Sequence, residues 1–190
     1  MRIVGGRFRG RIMKAPDGLD VRPTQDRVRE ALFNILMHEI DGARFVDLFA
    51  GSGTVGFEAL SRGAASVTFV ESNPRHISYI EANARTLGVT PSIVRSDAYR
   101  YVAEFASAPF DIAYADPPYA LGESQGFATM LGQAATKDLV RPGGLFIVET
   151  TNRFEVSDVP EWDLCRDREY GKSRLIVWKR QETASVEDSH

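Results

Sequence analysis

Apolar residues along the chain alternate between short continuous runs and longer stretches at helical spacing. Val28, Ala31, Leu32, Ile35, Leu36 and Ile40 share one face of a helix. That helix is expected to open at Pro23-Thr24, with Thr24 or Asp26 as its cap, and to end at Gly42. Arg27, Arg29 and Glu30 fall on its opposite, polar face. Residues 45–49, broken only by Asp47, read as a buried parallel strand. The alternation continues with a helix over 55–62 closing at Gly63, a strand over 67–70 ending at Glu71, and a helix from Asn73-Pro74 to Gly88. A short strand over 92–94, a short helix around Tyr99 to Ala106 and a strand over 110–115 come next. A helix within 123–139, a turn at Arg141-Pro-Gly-Gly144 and a strand over 145–148 follow. Segments 162–168 and 173–179 read as a final antiparallel hairpin. This order predicts an α/β, Rossmann-like fold: a mostly parallel seven-stranded sheet with helices on both faces.

Such a sheet binds its ligand outside the carboxyl ends of the strands, where the strand order switches. Asp47, Glu71, Asp97 and Asp116 all fall at or near such ends. At 190 residues the chain suits one well-buried domain. We expect that domain over 23–180, preceded by a basic arm or hairpin at 1–22 and followed by a polar tail at 181–190 that lacks order. No apolar run reaches a membrane span and the N-terminus has no signal-peptide core. With Cys165 as the single cysteine, the expected setting is a reducing cytoplasm and the expected state a monomer. His38, His76 and His190 have no metal-ligand spacing, so no metal site is expected.

The net charge of −3 hides an asymmetry. Residues 1–29 carry +5, from Arg2, Arg7, Arg9, Arg11, Lys14, Arg22, Arg27 and Arg29 against Asp17, Asp20 and Asp26, which leaves −8 for the rest. A local basic segment on an acidic domain points to a polyanion held at one end of the molecule. Gly5 to Arg11, flexible, cationic and carrying Phe8, suits phosphate contact and base stacking; the plainer alternative is a hairpin covering a sheet edge.

Gly51, Gly53 and Gly56 have the G-x-G-x-x-G spacing of a nucleotide-binding turn, and Glu71, twenty residues past Gly51, stands where an acid meets a ribose hydroxyl. The spacing alone admits a nicotinamide or flavin dinucleotide. Asp47, four residues before Gly51, disfavours one: a carboxylate there suits the cationic methionine end of S-adenosylmethionine and repels a pyrophosphate. Asp116-Pro117-Pro118-Tyr119 supplies the second half of a site. Each residue before a proline is held extended, and neither proline has an N–H, so the turn presents acceptors only. The Asp116 carboxylate and Pro117 carbonyl can take both protons of an exocyclic amine. That favours a more tetrahedral, nucleophilic nitrogen, while Tyr119 stacks on the base.

Asp47 to Gly53 (D-L-F-A-G-S-G) together with Asp116 to Tyr119 (D-P-P-Y) resembles the class I S-adenosylmethionine-dependent methyltransferases acting on exocyclic amines. The longer segment Arg22-Pro-Thr-Gln-Asp-Arg-Val-Arg-Glu-Ala-Leu-Phe-Asn-Ile-Leu36 is similar to the RsmD family, bacterial methyltransferases of guanine N2 in 16S ribosomal RNA. So are Gly5-Gly6 with Arg9-Gly10-Arg11, Glu58 to Ala64, Phe69 to Glu71 and Tyr170-Gly171. The resemblance implies a class I methyltransferase fold with S-adenosyl-L-methionine as cofactor. It implies that Asp47, Gly51 and Gly53 hold the methionine part, Glu71 the ribose, and Asp97 with Ala98 the adenine side. Phe49, Ala50, Ser52 and Ser72 complete the cofactor set. It further implies that Asp116, Pro117, Pro118 and Tyr119 hold the target base. Arg7, Arg9, Arg11, Lys14, Arg22, Thr24, Arg27 and Arg29 would contact 16S rRNA in a small subunit or assembly intermediate. Competing readings are an adenine-N6 methyltransferase of DNA, for which 190 residues leave little recognition region, a dinucleotide-dependent oxidoreductase, and a non-catalytic RNA-binding protein.

Overall fold

The computed structural model describes residues 1–16, 23–118, 123–156 and 158–182. Its helices are α1 (Pro23–Ile35), α2 (Thr54–Ser61), α3 (Pro74–Leu87), α4 (Ala98–Ala103) and α5 (Glu123–Thr136). Its strands are β1 (Arg44–Asp47), β2 (Ser66–Glu71), β3 (Ser92–Arg95), β4 (Phe110–Ala115), β5 (Val140–Thr151), β6 (Trp162–Tyr170) and β7 (Ser173–Arg180). They form one sheet in the order β3-β2-β1-β4-β5-β7-β6. The pairs from β3 through β5 are parallel, and β7 joins both β5 and β6 antiparallel. Chain order moves outward from β1 to β2 and β3, then returns to β4 on the other side of β1. The switch point therefore lies between β1 and β4, where the crevice for a ligand opens.

The apolar strands bury both faces. Phe45, Phe69, Ile112 and Ile147 pack with α1, α2 and α3, while Val46, Val70, Ala113 and Phe146 pack with α4 and α5. At one or two ends the elements differ from the expected bounds. α1 starts at Pro23, so Asp26 lies inside its first turn instead of capping it, and the helix stops at Ile35, well before Gly42. Leu36 and Ile40 still reach the core from the turns that follow. The expected turn at Arg141 to Gly144 falls within β5. Phe110 pairs with Val140 and Ile112 with Leu145, so residues 141–144 are extruded as an irregularity between two ladder pairs.

The N-terminal segment is not a loose arm. Arg2 and Ile12 bridge antiparallel, Ile3 N–H donates to Arg11 O at 3.1 Å and Met13 N–H to Met1 O at 2.7 Å. Ile3 and Met13 are buried in the core. The hairpin is fastened to α2 and α3 by backbone groups. Glu58, 0% exposed, accepts the Val4 N–H at 2.9 Å and the Gly5 N–H at 2.8 Å. Ser61 O accepts the Arg7 N–H at 2.7 Å, and Asn83 Oδ1 accepts the Lys14 N–H at 2.7 Å. Docking here also overturns one placement on α1. Arg29, expected on the exposed face, is 5% exposed because the hairpin covers it. Its guanidinium donates to Asp26 Oδ1 at 2.6 Å and Arg2 O at 3.0 Å, and lies 3.7 Å from Glu58. Arg29 is therefore a buried structural cation and not a phosphate contact. Arg7, Arg9, Arg11, Lys14 and Arg27 do face solvent.

Among the described residues, no helix is long and apolar enough to cross a membrane. Glu58 holds two backbone N–H groups and lies against Arg62 and Arg29, all from a fully buried position. Glu58→Ala is expected to destabilise the fold by about 3–5 kcal/mol, the usual result of leaving buried partners unpaired. Urea denaturation checks the loss, and hydrogen exchange at Val4 and Gly5 checks that the hairpin is released.

Candidate active site at the switch point

β1 ends at Asp47 and the chain turns sharply through 48–53 before α2 begins. Ala50 N–H donates to Val70 O at 3.1 Å and Gly53 N–H to Ala50 O at 2.7 Å, which ties the turn to β2 and to itself. Gly51 and Gly53 have φ of 54° and 84°, the left-handed region where a side chain is strained. A Cβ on Gly53 would also stand 2.7 Å from the Phe57 ring, whereas one on Gly51 would meet nothing within 4 Å. Gly56, in α2, packs directly on the Phe69 ring. The three glycines thus separate into one that shapes a turn open to a ligand, one that does so under packing, and one that seats the helix.

Carboxylates already take the Gly51 N–H of this turn and the Gly56 N–H of the first turn of α2. Glu71, at the end of β2, accepts the Gly51 N–H on Oε2 and the Asn73 N–H on Oε1, each at 2.8 Å. Asp47 accepts the Gly56 N–H on Oδ2 at 3.1 Å. A pyrophosphate needs those donors and would stand between two acids, so the structure disfavours a dinucleotide here. Asp47 is 1% exposed, and its Oδ1 has no hydrogen-bond partner. Burial raises its pKa from 3.8 to about 7; the Gly56 N–H opposes that rise, and the nearby charges of Asp116 and Glu71 add to it. Three acids converging on an orphaned buried oxygen fit a ligand with a cationic, hydrogen-donating end.

The remaining cofactor candidates lie along the same edge. Ser52 is buried, with its carbonyl accepting from Asn83 Nδ2 at 3.1 Å, and Ser72 is exposed just past β2. Asp97 follows β3 and caps α4 through the Arg100 N–H at 3.0 Å, with Ala98 buried behind it. Phe49 meets Tyr99 edge-on, ring centroids 5.8 Å apart, forming an aromatic wall between the β1 and β3 ends. Asp116 follows β4 in exposed position, Pro117 is buried and Pro118 exposed. Since Asp47 pairs with Tyr114, the Asp116-Pro117-Pro118 turn lies directly beside the glycine turn. Tyr119, Arg22 and the Thr24 side chain lie outside the described residues. Among the described residues no group of acids, histidines and cysteine could hold a metal ion.

The sequence reading missed four residues. Tyr114, read only as part of an apolar strand, donates from its hydroxyl to Glu149 Oε2 at 2.8 Å. Glu149, at the far end of β5, belongs to no motif in the sequence. Asn83 joins the Lys14 backbone to the Ser52 carbonyl, and Glu58 anchors the hairpin. The only available signal was a polar residue in an apolar context.

The family model described as Conserved hypothetical protein 95 matches residues 1–179. The chain belongs to this family. Ribosomal RNA small subunit methyltransferase D of Escherichia coli K12 is 34% identical over 183 residues, covering 95% of this chain and 90% of that protein. Its counterpart of the same name in Haemophilus influenzae is 31% identical over 175 residues, covering 90% and 89%. The solved structure of yhhF from Escherichia coli has a TM-score of 0.85 at 34% identity, covering 96% of this chain and 99% of that one. The family is the RsmD type, and the fold is the class I methyltransferase fold expected for it. The family match starts at residue 1, so the docked hairpin lies within the family's span.

The raised Asp47 pKa gives a stability test on the cofactor-free protein. A carboxyl whose folded pKa exceeds its unfolded one contributes stability that is present below about pH 4 and lost as pH rises through about 7. Asp47→Asn should therefore match the wild type near pH 4 and become the more stable protein above pH 7. The gap is on the order of 4 kcal/mol at most. Urea denaturation from pH 4 to 8 measures it.

Proposed function

We infer that the protein is an S-adenosyl-L-methionine-dependent methyltransferase that methylates the exocyclic N2 amine of a guanine in 16S ribosomal RNA. One observation carries the reading: the orphaned, buried Asp47 oxygen sits beside the Asp116-Pro117-Pro118 turn at the switch point of a family member's sheet. S-adenosylmethionine supplies an electrophilic methyl on a sulfonium, at the cationic end of a nucleoside.

Asp47 and the Gly51 to Gly53 turn hold that cationic end, and Glu71, still with spare lone pairs on oxygens that bind Gly51 and Asn73, takes the ribose hydroxyls. Asp97 and Ala98 lie on the adenine side, with the Phe49–Tyr99 wall next to them. The Asp116 carboxylate and Pro117 carbonyl accept the two amine protons of the target base. This would orient the nitrogen lone pair toward the donor; as the N–C bond forms, the sulfonium–methyl bond would break to leave a neutral thioether, and Asp116 would take the proton released from nitrogen. Tyr119 stacks on the base.

The exposed Arg7, Arg9, Arg11, Lys14 and Arg27 form the cationic surface that meets the RNA backbone. Their hairpin and helix are rigidly joined to the cofactor turn through Asn83 and Glu58, so phosphate contacts fix the register of the base at Asp116. The substrate is 16S rRNA within a small subunit or its assembly intermediate, and the protein acts as a cytoplasmic monomer.

Asp116→Ala is expected to lower methyl transfer at least 100-fold while leaving S-adenosylmethionine affinity within about threefold, the pattern of a lost proton-accepting and positioning group. Isothermal titration and single-turnover transfer separate the two effects; equal losses in both would move Asp116 into the cofactor pocket. Replacing Arg7, Arg9 and Arg11 together with Ala should weaken RNA binding and reduce the slope of log K against log salt by roughly 2–3. Filter binding across a salt series measures this, and an unchanged slope would make the hairpin's role structural only.

A further inference from the structure

The last ladder pair between β4 and β5 is Ala115 with Val148. The next residue on each strand is an acid, Asp116 on one and Glu149 on the other. Adjacent strands lie about 4.8 Å apart, so the two residues leave the ladder as neighbours, and the charges of both act on the Tyr114 phenol. Glu149 points to the same sheet face as Ile147 and Tyr114, the face on which Asp47 lies. It is half-buried, and its Oε2 accepts the Tyr114 hydroxyl at 2.8 Å. Its Oε1 has no partner among the described residues. Tyr114 is 2% exposed, and burial, followed by the charges of Glu149, Asp116 and Asp47, keeps its phenol protonated far above neutral pH. It is thus a permanent donor that fixes the carboxylate while leaving one oxygen for a ligand.

The proposed substrate has a matching feature. Along its Watson–Crick edge guanine carries N1–H next to the N2 amine, two donors side by side, whereas adenine carries a bare N1 acceptor next to its amine. An amine held at Asp116 and Pro117 brings the neighbouring N1 toward the adjacent strand end. We propose that Glu149 accepts the N1–H of the target guanine and selects guanine over purines with no proton at N1. For those purines, the N1 lone pair would face a carboxylate, a mismatch that rejects them more strongly than a missing apolar contact would. This rests on the reading of the site given above. Glu149 is a specificity-determining residue, and Tyr114 positions it.

The test uses 2-aminopurine, which keeps the N2 amine of guanine and lacks the N1 proton. Small subunits are reconstituted with either guanine or 2-aminopurine at the methylated position. kcat/KM for each is then measured for the wild type, Glu149→Gln and Tyr114→Phe. The wild type should favour guanine by at least about tenfold. Glu149→Gln, whose amide can donate to a bare N1, should raise the 2-aminopurine rate and reduce the ratio at least fivefold. Tyr114→Phe should reduce the ratio by a smaller factor, and reads the same effect should the Gln variant fail to fold. A ratio unmoved in the folded variants overturns the proposal and leaves the methyltransferase reading standing. Absence of transfer to either base by the wild type would instead overturn that reading, and the proposal with it.

Discussion

The Asp47 carboxylate holds the first turn of α2 through the Gly56 N–H with one oxygen and has no partner for the other. Burial of such a group is unfavourable, and the neighbouring charges of Asp116 and Glu71 make it more so. The site tolerates it because the strands bring these acids to one edge: Asp47 ends β1, Glu71 ends β2 and Asp116 follows β4. Their mutual repulsion in the cofactor-free protein is relieved by a cationic ligand. The same acids occupy the backbone donors a phosphate would need, so one arrangement both attracts a sulfonium nucleoside and rejects a dinucleotide.

From this edge outward the protein is organised by buried polar groups with long reach in sequence. Asn83 on α3 ties Lys14 of the hairpin to Ser52 of the glycine turn. Glu58 on α2 ties the hairpin backbone to Arg62 and, more distantly, Arg29. Each spans more than 50 residues of chain or closes a gap between helices. The cationic hairpin is in this way a fixed part of the scaffold. On the proposed reading, phosphate contacts made there would set the position of the base at the Asp116 turn.

The strands and their order of appearance were legible because buried parallel strands read as apolar runs, and Phe45 to Phe49 and Phe110 to Ala115 are such runs. Asn73, Pro74 and Gly88 marked α3 correctly, because caps are local chemistry. Arg29 was misplaced because helical periodicity knows nothing of a hairpin that covers the polar face of α1. Asp26, one of the two cap candidates with Thr24, lies inside α1 and pairs instead with Arg29 one turn on. Glu58 and Asn83 were invisible as anchors, since their partners lie 53 and 69 residues away. That Asp47, Glu71 and Asp116 share one edge of the sheet was legible because glycine spacing and proline turns are short-range signals. Tyr114 and Glu149 were not, because only the register of β4 against β5 puts them together beside the Asp116-Pro117-Pro118 turn.

The proposed function joins a carboxylate-lined crevice, a turn rich in acceptors and a docked cationic hairpin into one reaction on one class of polymer. Incubating the protein with isotopically labelled S-adenosylmethionine and small subunits lacking base methylation, then mapping the product by mass spectrometry, tests this most directly. The expected result is one N2-methylguanine at a single 16S position, absent with Asp116→Ala. Label on adenine, on duplex DNA but not on small subunits, or on many guanines without preference would contradict it.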